Sequence, residues 1–475
     1  MDDPAIPLLK ALRVQLATTL WPTEAGSRQE AARACRRILT ELLLRETRAG
    51  LEQQAVARIL SLIGAARRAL PASFESEFVG LEATLQRMPS LAAARPALQA
   101  LVADLQTVGT PDATRVLRDV VALELEIARA LQALSVERPD SSDAPGSAPP
   151  LAEDARLRLR DFLRAECGEP DLELGALTRV PGGFSKQTAF LELQHNRLLP
   201  AQLVLRSDKA NSPIQSTVAS EFRILRMCAV QGVPVPRPIA TSTDVAIIGA
   251  PFVVVERVRG SSIGDALDVS HAGREFGESL ARALARLHGI PAAYFGSNAA
   301  GADTPTRKRM LDDIALHESK WRACGSAVPA LELAYGWLKA NIGLSDGRRS
   351  LIHRDVGCHN LLVDDGEISA LLDWETAVIG NPAQDIGYVY HTAVQVMPWG
   401  DFLEAYAAAG GEVPSSGQVQ FYRLWRAVWL STLLEEVRTA VQGGHLDDFG
   451  LVYNSVYQYR RLNLTLHEVL EELML

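Results

Sequence analysis

The stretch Arg138 to Pro150, RPDSSDAPGSAPP, carries no large apolar side chain. Such a segment cannot bury enough surface to offset the entropy of ordering it, so it reads as a linker. It divides the chain into bodies of different texture. We read residues 1–137 as an all-helical N-terminal domain and 138–150 as the linker. Residues 151–258 then form a β-rich lobe and 259–475 a helical lobe.

The first body shows helical spacing throughout. Ser27 and Glu30 make a capping box ahead of Ala31, Cys35, Ile38, Leu42 and Leu43. Thr110-Pro111-Asp112 gives a second start signal: a capping hydroxyl, a proline in the first turn, and an acid at the positive end of the helix dipole. Several amphipathic stripes joined by short breaks predict a helical bundle, with no catalytic constellation in it. Packing within the protein, docking of a protein partner and self-association all remain open for this body.

Beyond the linker, Thr188 to Leu193, Ala201 to Arg206 and Phe252 to Val258 are rich in β-branched and aromatic residues, as strands are. Thr217 to Gln231 between them has helical periodicity. After Gly260 the pattern is mostly helical. The exception is Leu361-Leu362-Val363, a turn at Asp365-Gly366, and a return over Ile368 to Leu372.

That exception lies in LIHRDVGCHNLLVDDGEISALLDWE. Asp355 falls in a loop, Asn360 comes five residues later, and Asp373 closes the returning strand. A hairpin through Asp365-Gly366 places Asn360 and Asp373 at the same end. Phosphoryl transfer needs such a set: a carboxylate for the acceptor hydroxyl and hard oxygen ligands for Mg²⁺ on the phosphates. A metal-dependent phosphohydrolase using His353, Asp355, His359 and Asp373 is a weaker alternative, because further metal ligands at suitable spacing are lacking.

His353, Asp355 and Asn360, followed by Asp373-Trp374-Glu375, resemble the aminoglycoside phosphotransferase and choline kinase superfamily. The resemblance spans roughly residues 155 to 475. It implies an α+β, bilobal protein-kinase-like fold with a β-rich N-lobe and a helical C-lobe, here preceded by the helical domain. It implies Asp355 as catalytic base, Asn360 and Asp373 as Mg²⁺ ligands, and His353 and Asp385 as supports of the catalytic loop. Gly182, Gly183 and Ser185 would cover the phosphates of ATP. Arg206, paired with Glu221, would stand where most kinases carry a lysine, with Lys209 as a weaker candidate. Glu256 and Val258 would offer backbone groups to adenine. VLRSDKANSP, EFRILRMC, VPVPRPIA and GAPFVVVERVRG further resemble the kinase branch associated with acyl-CoA dehydrogenases. Some members of that branch phosphorylate hydroxyacyl-CoA.

The acceptor is expected to be a small molecule with a hydroxyl group. Aromatic residues crowd the helices after Asp385, among them Tyr388, Trp399, Phe402, Tyr406, Tyr422, Trp425, Tyr453 and Tyr457, and they favour an apolar acceptor. An aminoglycoside or other antibiotic is the alternative, and an inactive nucleotide-binding scaffold is a further one. Net charge is −9 without a basic face, which argues against nucleic acid. Five dispersed cysteines without a CxxC pair, no visible signal peptide and no long apolar run predict a cytoplasmic protein that does not enter a membrane.

Overall fold

A computed structural model describes residues 54–63, 67, 79, 83, 91–108, 110–133, 151–180, 186–208, 217–264, 267–269, 272–295, 304–443 and 449–474. The Ser27–Glu30 capping box, the 138–150 linker, Gly182, Gly183, Ser185 and Lys209 lie outside them.

The chain forms two compact units, and they are not contiguous in sequence. One gathers the described N-terminal helices with Arg307–Ser345 and Gln420–Leu475. The other holds the described parts of Ala144–Thr306 and Asp346–Val419. This division cuts across the boundaries expected from the linker. Two pieces of the anticipated helical lobe group with the N-terminal helices instead.

In the first unit the helix Pro111–Ala133 starts as expected, with Thr110 Oγ1 accepting from the Ala113 N–H at 3.2 Å. It packs along Phe449–Met474, and Leu91–Val108 packs along Pro329–Ala340. Polar side chains register these helices. Gln99 Oε1 accepts from the Val328 N–H at 2.8 Å, and Gln106 donates to the Leu333 carbonyl at 3.0 Å.

The second unit is built on a five-stranded antiparallel sheet in the order β1-β2-β3-β5-β4. The strands are β1 Glu173–Val180, β2 Lys186–Gln194, β3 Gln202–Asp208, β4 Pro238–Ser242 and β5 Phe252–Glu256. Sequence pattern located β2, β3 and β5. It gave no bounds for β1, which carries Gly175, and did not mark β4, which opens on Pro238 and lies at the sheet edge, where a missing N–H is tolerated.

Alternation along the strands gives the sheet two faces. Ala189, Leu191, Leu203, Leu205, Phe252 and Val254 pack against Leu159 and Leu163 of the helix Glu153–Cys167. Truncating either leucine to Ala should cost about 2–5 kcal/mol. The opposite face carries Thr188, Phe190, Val204, Arg206, Val253 and Val255, which lie in register across β2, β3 and β5. The helix Val218–Val230 buries Val218, Glu221, Leu225 and Cys228.

Two small sheets follow. β7 Ser350–Ile352 pairs with β10 Val378–Gly380, and β6 Ser261–Ser262 pairs with the hairpin of β8 Leu361–Asp364 and β9 Glu367–Leu371. Asp365 (φ 47°) and Gly366 (φ 81°) turn the hairpin in the left-handed conformation that its twist requires. The helices Arg274–His288, Ala383–Ala393 and Trp399–Ala408 complete the unit. Among the described residues no helix is long and apolar enough to cross a membrane.

Candidate active site

The β8–β9 hairpin does what the sequence reading required. Leu361 pairs with Leu371, and the Leu372 N–H donates to the Asn360 carbonyl at 2.8 Å. Asn360 and Asp373 therefore sit at the same end. Asn360 Nδ2 donates to Asp355 twice, to the carbonyl at 3.0 Å and to Oδ2 at 2.9 Å.

The Asp355 carboxylate is also held by the Tyr388 hydroxyl, which donates to Oδ1 at 2.5 Å. His359 Nε2 lies 3.7 Å from Oδ2. Burial pushes this carboxyl up, but the hydrogen bond and charge of His359, the Tyr388 hydroxyl and the charge of His353 outweigh it. The group is left at about 2. It is ionised throughout the neutral range and set to orient a donor rather than to compete for protons in solution.

Beneath Asp355 the loop is pinned by Asp385, which is fully buried. Its carboxylate accepts from the His353 N–H at 2.8 Å and the Arg354 N–H at 2.7 Å. Arg354 adopts φ 72°, a left-handed conformation costing about 1–2 kcal/mol in a non-glycine residue, and the bond to Asp385 offsets it. His288, the last residue of Arg274–His288, meets Asp385 Oδ2 at 3.1 Å and Tyr406 Oη at 2.8 Å. Burial pushes Asp385 up as well, but His288 and His353 hold it below the ordinary carboxylate value. The His353 ring packs at a tilt against Trp374, centroids 4.6 Å apart, and meets the Leu372 carbonyl at 2.9 Å, joining this loop to the segment that leads into Asp373.

On the sheet side, Arg206 bonds Glu221 through Nη1 and Asp373 Oδ1 through Nη2, the latter at 3.0 Å. The pairing with Glu221 was anticipated, and the reach to Asp373 was not. Glu221 is 1% exposed, and its Oε2 has no hydrogen-bond partner. Burial above all pushes its carboxyl up. The Glu256 N–H is committed to the Arg237 carbonyl at 2.9 Å, so the Glu256 carbonyl and Val258 are what this segment can offer a base. Phe190, Val204 and Val255 form an apolar row on the Arg206 face, with the Arg257 guanidinium 3.9 Å from the Phe190 ring centre.

Asn360 and Asp373 supply hard oxygen donors of two kinds from one end of a hairpin, a carboxamide and a carboxylate. That set suits Mg²⁺, which keeps waters and shares its ligands with phosphates. Among the described residues no group of three or more His, Cys, Asp or Glu side chains is placed to hold a metal.

Two contributors escaped the sequence reading. His288, at the end of a helix, carries no functional signal in sequence. Tyr388 was grouped with the acceptor aromatics, although its i, i+3 spacing from Asp385 puts both on one helix face. The aromatic helices also differ from expectation. Phe402, Tyr406, Phe421, Tyr422 and Trp425 are core residues at 0–2% exposure. They do not form an open apolar site, and nothing about the acceptor follows from them.

The sequence of residues 176–422, just over half the chain, matches the model of the phosphotransferase enzyme family. The chain belongs to that family. It is built on the kinase-like fold. Acyl-CoA dehydrogenase family member 10 of Mus musculus is 27% identical over 239 residues, covering 48% of this chain and 21% of that protein. Family member 11 of Rattus norvegicus is 28% identical over 221 residues, 45% of this chain and 27% of that protein. The chain thus spans about a quarter of these curated relatives. A putative aminoglycoside phosphotransferase from Ralstonia eutropha shares the fold at a TM-score of 0.53 and 19% identity, covering 66% of this chain and 98% of that one.

Proposed function

We propose that this phosphotransferase moves the γ-phosphoryl group of ATP, with Mg²⁺, to the hydroxyl of a small acyl-type molecule such as a hydroxyacyl-CoA. The observation that carries the catalytic reading is the Asp355 carboxylate, held by Tyr388 and Asn360 beside the Asn360–Asp373 end of the hairpin.

In this reading Asp355 accepts the hydrogen bond of the acceptor hydroxyl, aims its oxygen along the line of displacement and takes the proton as the new bond forms. A carboxylate at about 2 is a weak base, which suits a loose transition state where positioning outweighs proton abstraction. Asn360 Oδ1 and the Asp373 carboxylate would hold Mg²⁺, which would supply positive charge to the phosphates. Arg206 fixes Asp373 relative to Glu221. Asp385 and His353 keep the loop in its left-handed turn. Adenine would lie against Phe190, Val204 and Val255, next to the Glu256 carbonyl and the Val258 N–H.

The acyl-type acceptor rests on the relatives named as acyl-CoA dehydrogenase family members. A cytoplasmic setting, rich in ATP and reducing toward thiols, suits the free Cys167, Cys228, Cys324 and Cys358. The test is ATP consumption against a panel of hydroxyacyl-CoA compounds, aminoglycosides and macrolides, with phosphoester products identified by mass. Phosphorylated hydroxyacyl-CoA is the expected product. Turnover of antibiotics alone would replace the acceptor assignment. No consumption of ATP with any acceptor would favour a nucleotide-binding scaffold.

A further inference from the structure

Lys186 is the first residue of β2, three residues after Gly183, and its side chain is 3% exposed. Lysine is rarely buried without a reason, because its ammonium group loses hydration. Its Nζ meets Asp208 Oδ1 at 2.6 Å. Cross-strand register sets Lys186 opposite Asp208 and Thr188 opposite Arg206, so Lys186 and Arg206 occupy the same sheet face two residues apart. They also belong to one charge cluster. Arg206, Lys186, Asp373 and Asp208 all act on the buried Glu221 carboxyl.

The charges in that cluster do not suit a triphosphate as they stand. Two cations face the carboxylates of Glu221, Asp373 and Asp208. Arg206 already spends its two terminal nitrogens on Glu221 and Asp373. Lys186 pairs with Asp208, which is 20% exposed and borders the opening of the helix Val218–Val230, with Oδ2 3.5 Å from the Val218 N–H. A lysine ammonium has three donors on a flexible stem and can keep one carboxylate while reaching a phosphate oxygen.

We propose that Lys186, positioned by Asp208, is a phosphate-binding cation of the nucleotide site and supplies the charge that Arg206, tied to Glu221 and Asp373, does not deliver. The assignment rests on the ATP-dependent reading above and adds a residue to it.

The experiment is calorimetric binding of ATP, ADP and adenosine, with Mg²⁺, to the full chain and its variants. Lys186→Met should weaken ATP by about tenfold or more, the usual worth of a charge-assisted bond. ADP should weaken less, and adenosine should stay within about twofold. Lys186→Arg should recover most of the ATP affinity. Removing one member of a buried pair can unfold a protein, so the double variant Lys186→Met, Asp208→Asn provides the same readout without an orphaned carboxylate. Equal losses for ATP and adenosine would show a purely structural lysine and overturn the proposal, as would ATP affinity within twofold of wild type in both variants. Wild-type protein that binds no nucleotide would instead overturn the ATP-dependent reading itself, before any variant is compared.

Discussion

The two sides of the site are built by different means. The loop and hairpin side, His353 to Asp373, is one continuous stretch whose geometry is set by a tight turn and a short strand pair. The sheet side, Lys186 to Glu221, is assembled by register across strands and by the docking of a helix. On the first side one carboxylate is held by a hydroxyl, a carboxamide and a neighbouring imidazole. On the second, cations and acids neutralise one another in a buried cluster. Chemistry that needs one well-aimed group can be encoded locally. A counter-charge for a polyanion needs several groups brought together from a distance.

The sharpest way to break this comparison is at Asp373, where the two sides meet. Asp373→Asn removes a metal ligand and the partner of Arg206 together. It should cost on the order of 10³-fold in kcat, with the Mg²⁺ requirement shifted to higher concentration. Steady-state rates across a Mg²⁺ titration measure this. An unchanged Mg²⁺ dependence would place the metal elsewhere.

Asp385 tests whether the loop side stands on its buried brace. Asp385→Asn should lower unfolding free energy by about 3 kcal/mol at neutral pH, since it leaves His288 and two backbone N–H groups poorly met. The folded carboxyl lies below its ordinary value. Its contribution is therefore fully present above the unfolded pKa of about 4 and is lost as pH falls through the lower folded value. Denaturant curves of both proteins should converge toward acid pH. A gap that stays constant would show that the carboxylate charge is not what braces the loop.

Smaller effects separate functions within the sheet side. Arg206→Lys keeps a charge but loses the planar fork that spans Glu221 and Asp373. Its kcat should fall about tenfold and its Mg²⁺ requirement rise, with the KM for ATP less affected. Phe190→Ala should weaken ATP, ADP and adenosine alike, by about fivefold, because it removes a surface for the base rather than a charge. A loss confined to ATP would move Phe190 from the base to the phosphates.

The same contrast explains what the sequence could reveal. Asp355, Asn360 and Asp373 were readable because their spacing and the Asp365-Gly366 turn fix their relation locally. Arg206 and Glu221 were readable as a pair through resemblance. The reach of Arg206 to Asp373 was not, since it joins residues 167 positions apart. Lys186 gives no signal in sequence, because a lysine opening a strand is ordinarily a solvated surface residue. Only the register that sets it opposite Asp208 marks it. Tyr388 and Tyr406 carried a pattern, aromatic residues on helices, that fits a core and a ligand site equally well. Burial decides between those readings, and burial is a property of the packed unit. The grouping of residues 307–345 and 420–475 with the N-terminal helices was equally beyond reach, since helical periodicity shows which face is covered but not by what.

The most direct test of the account separates binding from transfer at Asp355. Calorimetry with Mg²⁺ and ATP, and phosphoester formation on the same preparations, would be measured for wild type and Asp355→Asn. The account predicts nucleotide affinity within about threefold of wild type and transfer reduced on the order of 10³-fold. Transfer at the wild-type rate in Asp355→Asn, or equal loss of binding and transfer, would contradict it.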